Sequence, residues 1–182
     1  MLKNIIRFSL EVFYRLFKFD LNWDFAEIDI NTPEELKESI SMTYSHEDNI
    51  ILVNPLLLEQ YYDENYTEDQ IYHIVFSLIA HEYRHAWQHR SSNYQNDFQQ
   101  YNSFIQFEID YVHQKVEIDA YAFQEACYWI ISGTKNQHLI VPEEAADAVH
   151  QLAYVLYYQY HDDIKLIIYN LIEEYLNVSN QI

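Results

Sequence analysis

The sequence predicts a mainly α-helical fold with a small β-sheet, of the α+β class. Apolar residues recur at the three- and four-residue spacing of helices through much of the 182-residue chain. Glycine occurs once, which fits a helical chain with few tight turns. Two short segments in the first third have the composition of strands. No repeat or flexible linker interrupts the sequence, so residues 1–182 are expected to form a single domain with a sizeable core.

Residues 1–19 predict an amphipathic basic helix. At about 100° per residue, its charged side chains share one face and its large apolar side chains share the other. The charged residues are Lys3, Arg7, Glu11, Arg15 and Lys18. These charges interrupt the apolar stretch and no small-residue cleavage site follows, so neither a signal peptide nor a transmembrane span is expected. Three interpretations stay open: a helix docked on the domain, a helix at a membrane surface, and a helix that docks on a partner.

Two strands and a helix start are predicted next. Residues Phe25–Ile30 alternate apolar and acidic side chains, and Asp48–Pro55 contain a short apolar strand that ends at Asn-Pro. Between them, Pro33 stands at the first position of a helix that Thr32 and Glu35 can cap. These segments predict the small sheet and one helix beside it.

The most informative segment is a helix predicted to begin after Thr67. Thr67 and Gln70 have the spacing of a capping box, and apolar residues then recur at helical spacing. The helix contains His81-Glu82-Tyr83-Arg84-His85, which has the form H-E-x-x-H. Residues four apart share one face of a helix, so both imidazoles can reach one metal ion. Glu82 lies one position round, where it can reach a water on that metal.

A catalytic zinc site needs a third protein ligand and an open position for water. The one-segment motif H-E-x-x-H-x-x-G-x-x-H is excluded, because Gln88 and Ser91 stand where it requires glycine and histidine. His89 lies one turn further along the same helix, and three adjacent turns of a rigid helix cannot surround one ion. The third ligand should therefore come from another helix.

Residues Asp97–Ser132 predict one or two long helices, and Glu117 is the best candidate ligand within them. The small side chains of Ala120 and Ala122 would let this helix approach the histidine helix closely. Two histidines and a glutamate are a recognised ligand set for catalytic zinc. The rivals for the third position are Asp119, His113 and Asp110. Asp119 is better interpreted as a carboxylate that orients a ligand imidazole.

These residues carry a family resemblance. His81-Glu82-x-x-His85 followed by Glu117 resembles the gluzincin class of zinc metallopeptidases. More narrowly, Glu117-x-x-Ala120-x-x-Phe123 looks like the glutamate helix of the small cytoplasmic peptidases of bacterial mobile elements that trigger cleavage of phage-type repressors. Many gluzincins place an aspartate where this chain has Tyr121, so that carboxylate is either missing from its usual place or replaced by Asp119.

The resemblance implies a zincin-like fold, in which the H-E-x-x-H helix packs against the glutamate-bearing helix, and a zinc-dependent peptidase. Zinc held by His81, His85 and Glu117 would bind a water, and Glu82 would act on it as general base and then protonate the leaving amine. The substrate would be a protein or peptide held along an edge strand. Asp48–Pro55 is the candidate for that strand, and a purely supporting sheet is the alternative.

The C-terminal third is predicted to be helical. Gly133 is expected to cap one helix, and Pro142 to open another that continues to about Asn177. Four tyrosines in the last helix are expected to pack in the core, namely Tyr154, Tyr157, Tyr158 and Tyr160.

Composition narrows the function classes. The net charge of −19 argues against nucleic acid, which basic surfaces bind, and favours a basic partner or substrate. Cys127 is the single cysteine, so neither a disulfide framework nor a cysteine zinc site is expected. This usage favours the cytoplasm, with a peripheral membrane position open through residues 1–19. The alternative to an enzyme is a non-catalytic interaction or regulatory protein with a structural metal or none, but such a site has no need of a base at Glu82.

Overall fold

The structure, a computed structural model, describes residues 2–25, 42–54, 66–92, 94, 97, 114–135 and 143–179. Its helices in these ranges are α1 (Leu2–Phe17), α2 (Glu68–Arg90), α3 (Lys115–Ser132) and α4 (Ala146–Ser179). A 3-10 helix at Glu143–Ala145 precedes α4, and the strands are β1 (Asn22–Phe25), β2 (Met42–Ser45) and β3 (Ile50–Val53). The prediction of a mainly α-helical fold with a small sheet is confirmed.

Helix α1 packs with its apolar face against α2 and α4. Ile6, Val12 and Phe13 are fully buried, and the centroid of the Phe13 ring lies 5.0 Å from that of Phe76 in α2. Each such side chain contributes about 1.5–3 kcal/mol when it leaves water. The apolar face of the N-terminal helix is therefore docked on the domain.

The charged face of α1 lies on the outside of the protein. Lys3 and Arg7 are exposed, while both terminal nitrogens of Arg15 donate to the Glu174 carboxylate of α4 at 2.8 Å. Contact of this face with a membrane surface or a partner stays a prediction. Among the described residues, no helix combines the length and the apolar composition that crossing a bilayer requires.

The three strands form one sheet in the order β1-β3-β2. Strand β3 pairs in parallel with β1 and antiparallel with β2. The strand predicted within Asp48–Pro55 is confirmed as β3, and the one predicted from Phe25 is found earlier, at Asn22–Phe25. Residues 26–41, which include the rest of that prediction and the helix start at Thr32, lie outside the described residues. Strand β2 was not anticipated, because four residues with two polar side chains carry little periodic signal.

Helix α2 begins with the predicted capping box. The backbone N–H of Gln70 donates to Thr67 Oγ1 at 3.3 Å, and the backbone N–H of Thr67 donates to Gln70 Oε1 at 2.9 Å. The C-terminal half of the helix is buried on nearly every side, because α1, α3 and β2 all contact it. This burial places the H-E-x-x-H segment inside the protein.

Helix α3 ends at Gly133, which has the left-handed φ of 73° that favours glycine, so the predicted cap is confirmed. Helix α4 then packs along α3, where Trp129 is almost fully buried. The prediction that four tyrosines of α4 pack in the core is wrong for two of them. Tyr154 is 44% exposed and Tyr158 is 72% exposed, although the Tyr154 ring still contacts that of Trp129 in α3, with centroids 4.9 Å apart.

Candidate metal centre

Helix α3 packs along α2 and places one carboxylate against two imidazoles. Ala120 is fully buried, as a close approach of the two helices requires. Glu117 is 0% exposed, and His81 and His85 are 8% and 6% exposed. Ionisable side chains buried to this degree are costly unless they are paired or bind a metal.

The three side chains present their ligand atoms to one point. His85 Nε2 lies 3.1 Å from His81 Nε2 and 3.2 Å from Glu117 Oε1, and His81 Nε2 lies 3.6 Å from Glu117 Oε2. Zinc–ligand distances of about 2.0–2.1 Å put the atoms of a tetrahedral site about 3.3–3.4 Å apart. The triangle therefore has the size of one face of such a site. His81, His85 and Glu117 could hold a metal ion, and they are the one group of this kind among the described residues.

Gln88 determines which nitrogen of His85 faces the metal position. Its Nε2 donates to the backbone oxygen of Val116 at 2.9 Å and to Asp119 Oδ2 at 2.8 Å. The amide oxygen Oε1 therefore faces His85 Nδ1, at 2.9 Å. Because this oxygen can only accept, Nδ1 carries the proton and the lone pair of Nε2 is left for a metal. An amide suits this position because it accepts from one group and donates to two others while staying neutral.

Arg84 and Asp119 form a buried ion pair beside these ligands. Arg84 Nε lies 2.7 Å from Asp119 Oδ2, and Arg84 Nη2 lies 3.0 Å from Asp119 Oδ1. The guanidinium is also 4.0 Å from the centroid of the Trp87 ring and donates to the hydroxyl of Tyr160 at 3.3 Å. The pair therefore links α2, α3 and α4, and it holds the Asp119 carboxylate in place for Gln88.

Asp119 thus acts on His85 indirectly, and not by the direct contact expected from the sequence. Its carboxylate binds Arg84 and Gln88, and Gln88 binds the imidazole. The reason is helix geometry, because Asp119 lies two residues beyond Glu117 and so about 200° further round α3. Of the other rivals for the third ligand, His113 and Asp110 lie outside the described residues.

His81 is positioned by a ring contact. The Tyr121 ring lies edge-on to the imidazole, with centroids 4.7 Å apart and an interplanar angle of 67°. His81 Nδ1 is buried and has no hydrogen-bond partner among the described residues, so its tautomer is not set in the way that Gln88 sets that of His85. Burial raises the pKa of Tyr121, and the nearby carboxylates of Glu117 and Glu82 raise it further. The hydroxyl of Tyr121 consequently remains protonated and can donate.

The buried charges of the centre shift one another's protonation. Burial alone would raise the pKa of Glu117, but His85 and His81 outweigh burial and hold this pKa well below its usual range. Burial alone would lower the pKa of His85, but Glu117, Glu82 and Gln88 raise it to about 9. An ionised carboxylate beside two imidazoles supplies three ligand atoms. A divalent cation can bind them once the ligand nitrogens of the rings are unprotonated.

Glu82 lies beside the three candidate ligands and next to strand β2. It is 8% exposed, and its carboxylate interacts with the charges of His81, His85 and Glu117 and accepts a hydrogen bond from the backbone N–H of Tyr44. Burial raises the pKa of Glu82 above its usual range. This contact places Tyr44, in the strand that pairs with β3, next to the candidate metal centre.

Strand β3 cannot be the substrate-holding edge expected from the sequence. Its backbone groups pair with β1 on one side and β2 on the other. Strand β2 contacts α2 and lies at the edge of the sheet among the described strands. The edge nearest to the candidate metal centre therefore belongs to β2.

Three residues of the site were missed by sequence reasoning: Arg84, Gln88 and Tyr44. A signal for two of them existed, because Arg84 and Gln88 are four residues apart and share a face of α2, next to the face of the two histidines. The role of Tyr44 depends on which strand lies at the edge, and no local pattern carries that information.

Comparison of the chain with known protein families, with curated proteins and with solved structures found no match.

Proposed function

We propose that the protein is a zinc-dependent peptidase of the gluzincin type. The observation that carries the proposal is the buried triangle of His81, His85 and Glu117, whose edges of 3.1–3.6 Å match a tetrahedral site. The choice of zinc and the zincin-like packing of α2 on α3 both belong to this proposal. Two imidazoles and one carboxylate are a ligand set that catalytic zinc uses, with a position left for substrate.

The chain's own residues prepare this set. Gln88 holds the His85 lone pair toward the metal position, and the Arg84–Asp119 ion pair keeps Gln88 and α3 in place. When bound, zinc supplies a Lewis acid for the scissile carbonyl and lowers the pKa of a water.

Glu82 is the proposed general base. Its carboxylate would take a proton from the attacking water and hand it to the leaving amine nitrogen. The N–H of Tyr44 holds that carboxylate in position. Tyr121 is a candidate donor to the carbonyl oxygen of the substrate. Its ring contacts His81 and its hydroxyl stays protonated.

The substrate is a protein or peptide whose backbone would extend the sheet at β2. The edge that β2 forms among the described strands lies next to Glu82, and an extended peptide can pair with the backbone groups of such an edge. This arrangement would carry the scissile bond past the general base. The alternative, a non-catalytic protein with a structural metal, leaves the placement of Glu82 without a purpose.

The test combines metal content with peptide cleavage. Purified wild type should carry one equivalent of zinc by elemental analysis, and Glu82→Gln should retain that zinc because Glu82 is not a ligand. Cleavage of a mixed peptide library, followed by mass spectrometry, should fall at least about 100-fold in Glu82→Gln. His150→Ala is the control, since it removes a half-buried histidine outside the centre.

Two results would overturn the proposal. If wild type neither carries zinc nor takes it up, the metal assignment fails. If Glu82→Gln cleaves the same peptides at the wild-type rate, the assignment of the general base fails although zinc is bound.

A further inference from the structure

Helix α4 carries two apolar stripes on opposite sides. One stripe packs on α1 and α3, and its members Ala153, Leu156, Ile164 and Leu171 are at most 4% exposed. The other faces solvent and contains five large apolar residues, which are Val155, Tyr158, Tyr169, Ile172 and Leu176. Their exposed fractions are 61%, 72%, 62%, 46% and 53%. A helix that is apolar on both sides is typical of one that is covered on both sides.

The exposed stripe has the spacing of a coiled-coil seam. With two charged residues included, it alternates steps of three and four without a break over three heptads. The seam consists of Val155, Tyr158, Asp162, Lys165, Tyr169, Ile172 and Leu176, and it is called the α4 seam below. Asp162 and Lys165 are exposed and stand at its centre.

Two copies of the α4 seam are complementary to each other when they run antiparallel. In an antiparallel pair of helices, the residues at the a positions of one helix face the residues at the d positions of the other. If Asp162 faces Lys165 of a second copy, then Tyr158 faces Tyr169 and Val155 faces Ile172. These layers join residues of similar size and, at the centre, residues of opposite charge, while Leu176 lies beyond them, opposite Gln151 of the second copy.

We propose that the protein forms a homodimer in which the α4 seams of two copies pair antiparallel about a two-fold axis between residues 163 and 164. The two central layers each hold one Asp162–Lys165 ion pair between copies, flanked by tyrosine pairs and then by valine–isoleucine pairs. The ion pairs set the register in the way that polar residues at seam positions do.

A parallel pair of the same seams is disfavoured. It would place Asp162 against Asp162 and Lys165 against Lys165, and like charges directly opposite each other destabilise an interface. The same charges therefore select the antiparallel orientation.

The charge distribution also favours this face for contact between copies. Each copy has a net charge of −19, so two copies repel one another across most surfaces. The α4 seam has one acidic and one basic residue and is neutral. Lys135 lies at its margin, where its Nζ is 4.5 Å from the centroid of the Tyr158 ring.

An apolar groove beside the seam adds to the surface that a second copy would cover. It has a volume of about 370 Å³ and is lined by Phe8, Tyr72, Ile131, Lys165, Ile168 and Ile172. The area that a single pair of helices buries lies near the lower end of the range for specific interfaces. We therefore expect a dissociation constant on the order of 10 µM.

Sedimentation equilibrium of the full chain tests the register. Wild type should dimerise, and Asp162→Lys and Lys165→Asp should each weaken the dimer at least about 100-fold, because two layers change at about 10-fold each. The double exchange Asp162→Lys with Lys165→Asp should restore dimerisation, since each layer regains opposite charges. Asp163→Lys is the matched control, because it makes the same change one residue away, outside the seam, and should leave the dimer intact.

Cross-linking tests the orientation. In Tyr158→Cys mixed with Tyr169→Cys, a disulfide should form between the two variants, whereas neither variant alone should cross-link. Cys127 does not interfere, because it is fully buried and burial raises its pKa.

The proposal fails if wild type stays monomeric at a protein concentration ten times the expected dissociation constant, or if the double exchange stays as weak as the single variants. It also fails if Tyr158→Cys alone cross-links, which would indicate parallel seams. A seam that binds a different protein would appear as a monomeric wild type.

Discussion

Two glutamates on α3 invite comparison, because each is 0% exposed and each lies next to a histidine. Glu117 Oε1 is 3.2 Å from His85 Nε2, and Glu125 Oε1, two turns later, is 3.3 Å from His150 Nε2. Near Glu117, the imidazole of His81 lies four residues before that of His85 on α2, and the amide of Gln88 sets the tautomer of His85. The histidine next to Glu125 comes from α4, and its side chain is 26% exposed.

The comparison teaches that a buried carboxylate beside a histidine does not make a metal centre. A centre also needs a third ligand atom, and that atom must lie within reach of the same ion. Among the described residues, only the surroundings of Glu117 meet these conditions.

Replacing each glutamate by its neutral isostere gives the largest expected effect. Glu117→Gln should lower zinc affinity at least about 1000-fold, because it removes a ligand and its charge. Glu125→Gln is the matched control and should bind zinc as wild type does. Competition with a chromophoric chelator measures both affinities. Equal affinities in the two variants would remove the distinction between the two glutamates.

The second prediction concerns the ion pair that supports the centre at Glu117. Asp119→Ala leaves the buried guanidinium of Arg84 without its carboxylate, so the free energy of unfolding should fall by about 3–5 kcal/mol. Urea denaturation of the metal-free protein measures the change. A loss below about 1 kcal/mol would mean that the ion pair does not hold α2 against α3.

A smaller effect is expected from the amide that orients His85. Gln88→Leu should weaken zinc binding about 10–100-fold, as loss of a partner to a ligand imidazole does. Gln88→Glu should not restore binding, because its carboxylate would face Asp119 Oδ2 and the backbone oxygen of Val116.

The same variants carry a readout that a purely structural role would not change. In the zinc-loaded wild type, NMR should detect a slowly exchanging proton on His85 Nδ1, and this signal should be lost in Gln88→Leu. Gln124→Leu, which alters another buried glutamine, is the control. A persistent signal in Gln88→Leu would show that other groups set the tautomer.

The smallest effect is expected at an ion pair with nearly the same geometry on the surface. Arg15 binds Glu174 through two hydrogen bonds of 2.8 Å, yet the side chain of Glu174 is 57% exposed. Water and salt screen such a pair, so Glu174→Gln should leave the denaturation midpoint within experimental error. A clear loss of stability would contradict the view that burial, and not bidentate geometry, makes the Arg84–Asp119 pair important.

Local sequence accounts for the caps of two helices and for part of the candidate centre. The capping box at Thr67, the histidine pair of α2 and the cap at Gly133 each depend on residues within one or two turns. The period of the helix is enough to place His81 and His85 on one face. Glu117 could be selected as a candidate, but its contact with both imidazoles depends on how α3 lies against α2.

The role of Asp119 shows where prediction from sequence stopped. Its carboxylate was expected at an imidazole, and the packing of α3 turns it toward Arg84 and Gln88 instead. Two apolar sides of α4 likewise gave one periodic signal, so Tyr158 was expected inside the core although it lies outside. Periodicity reports that a face is apolar and does not report what covers it.

The sequence by itself determined where α2 begins and where α3 ends, and that two histidines of α2 share one face with a glutamate beside them. These features depend on backbone geometry and on neighbours a few residues away. Only the tertiary structure decided that Glu117 meets both histidines, that Gln88 sets the tautomer of one of them, and that β2 is the edge beside Glu82. The contacts that decide these points join residues 28 to 38 positions apart. The packing of helices and the order of strands follow from the whole core and not from any local pattern.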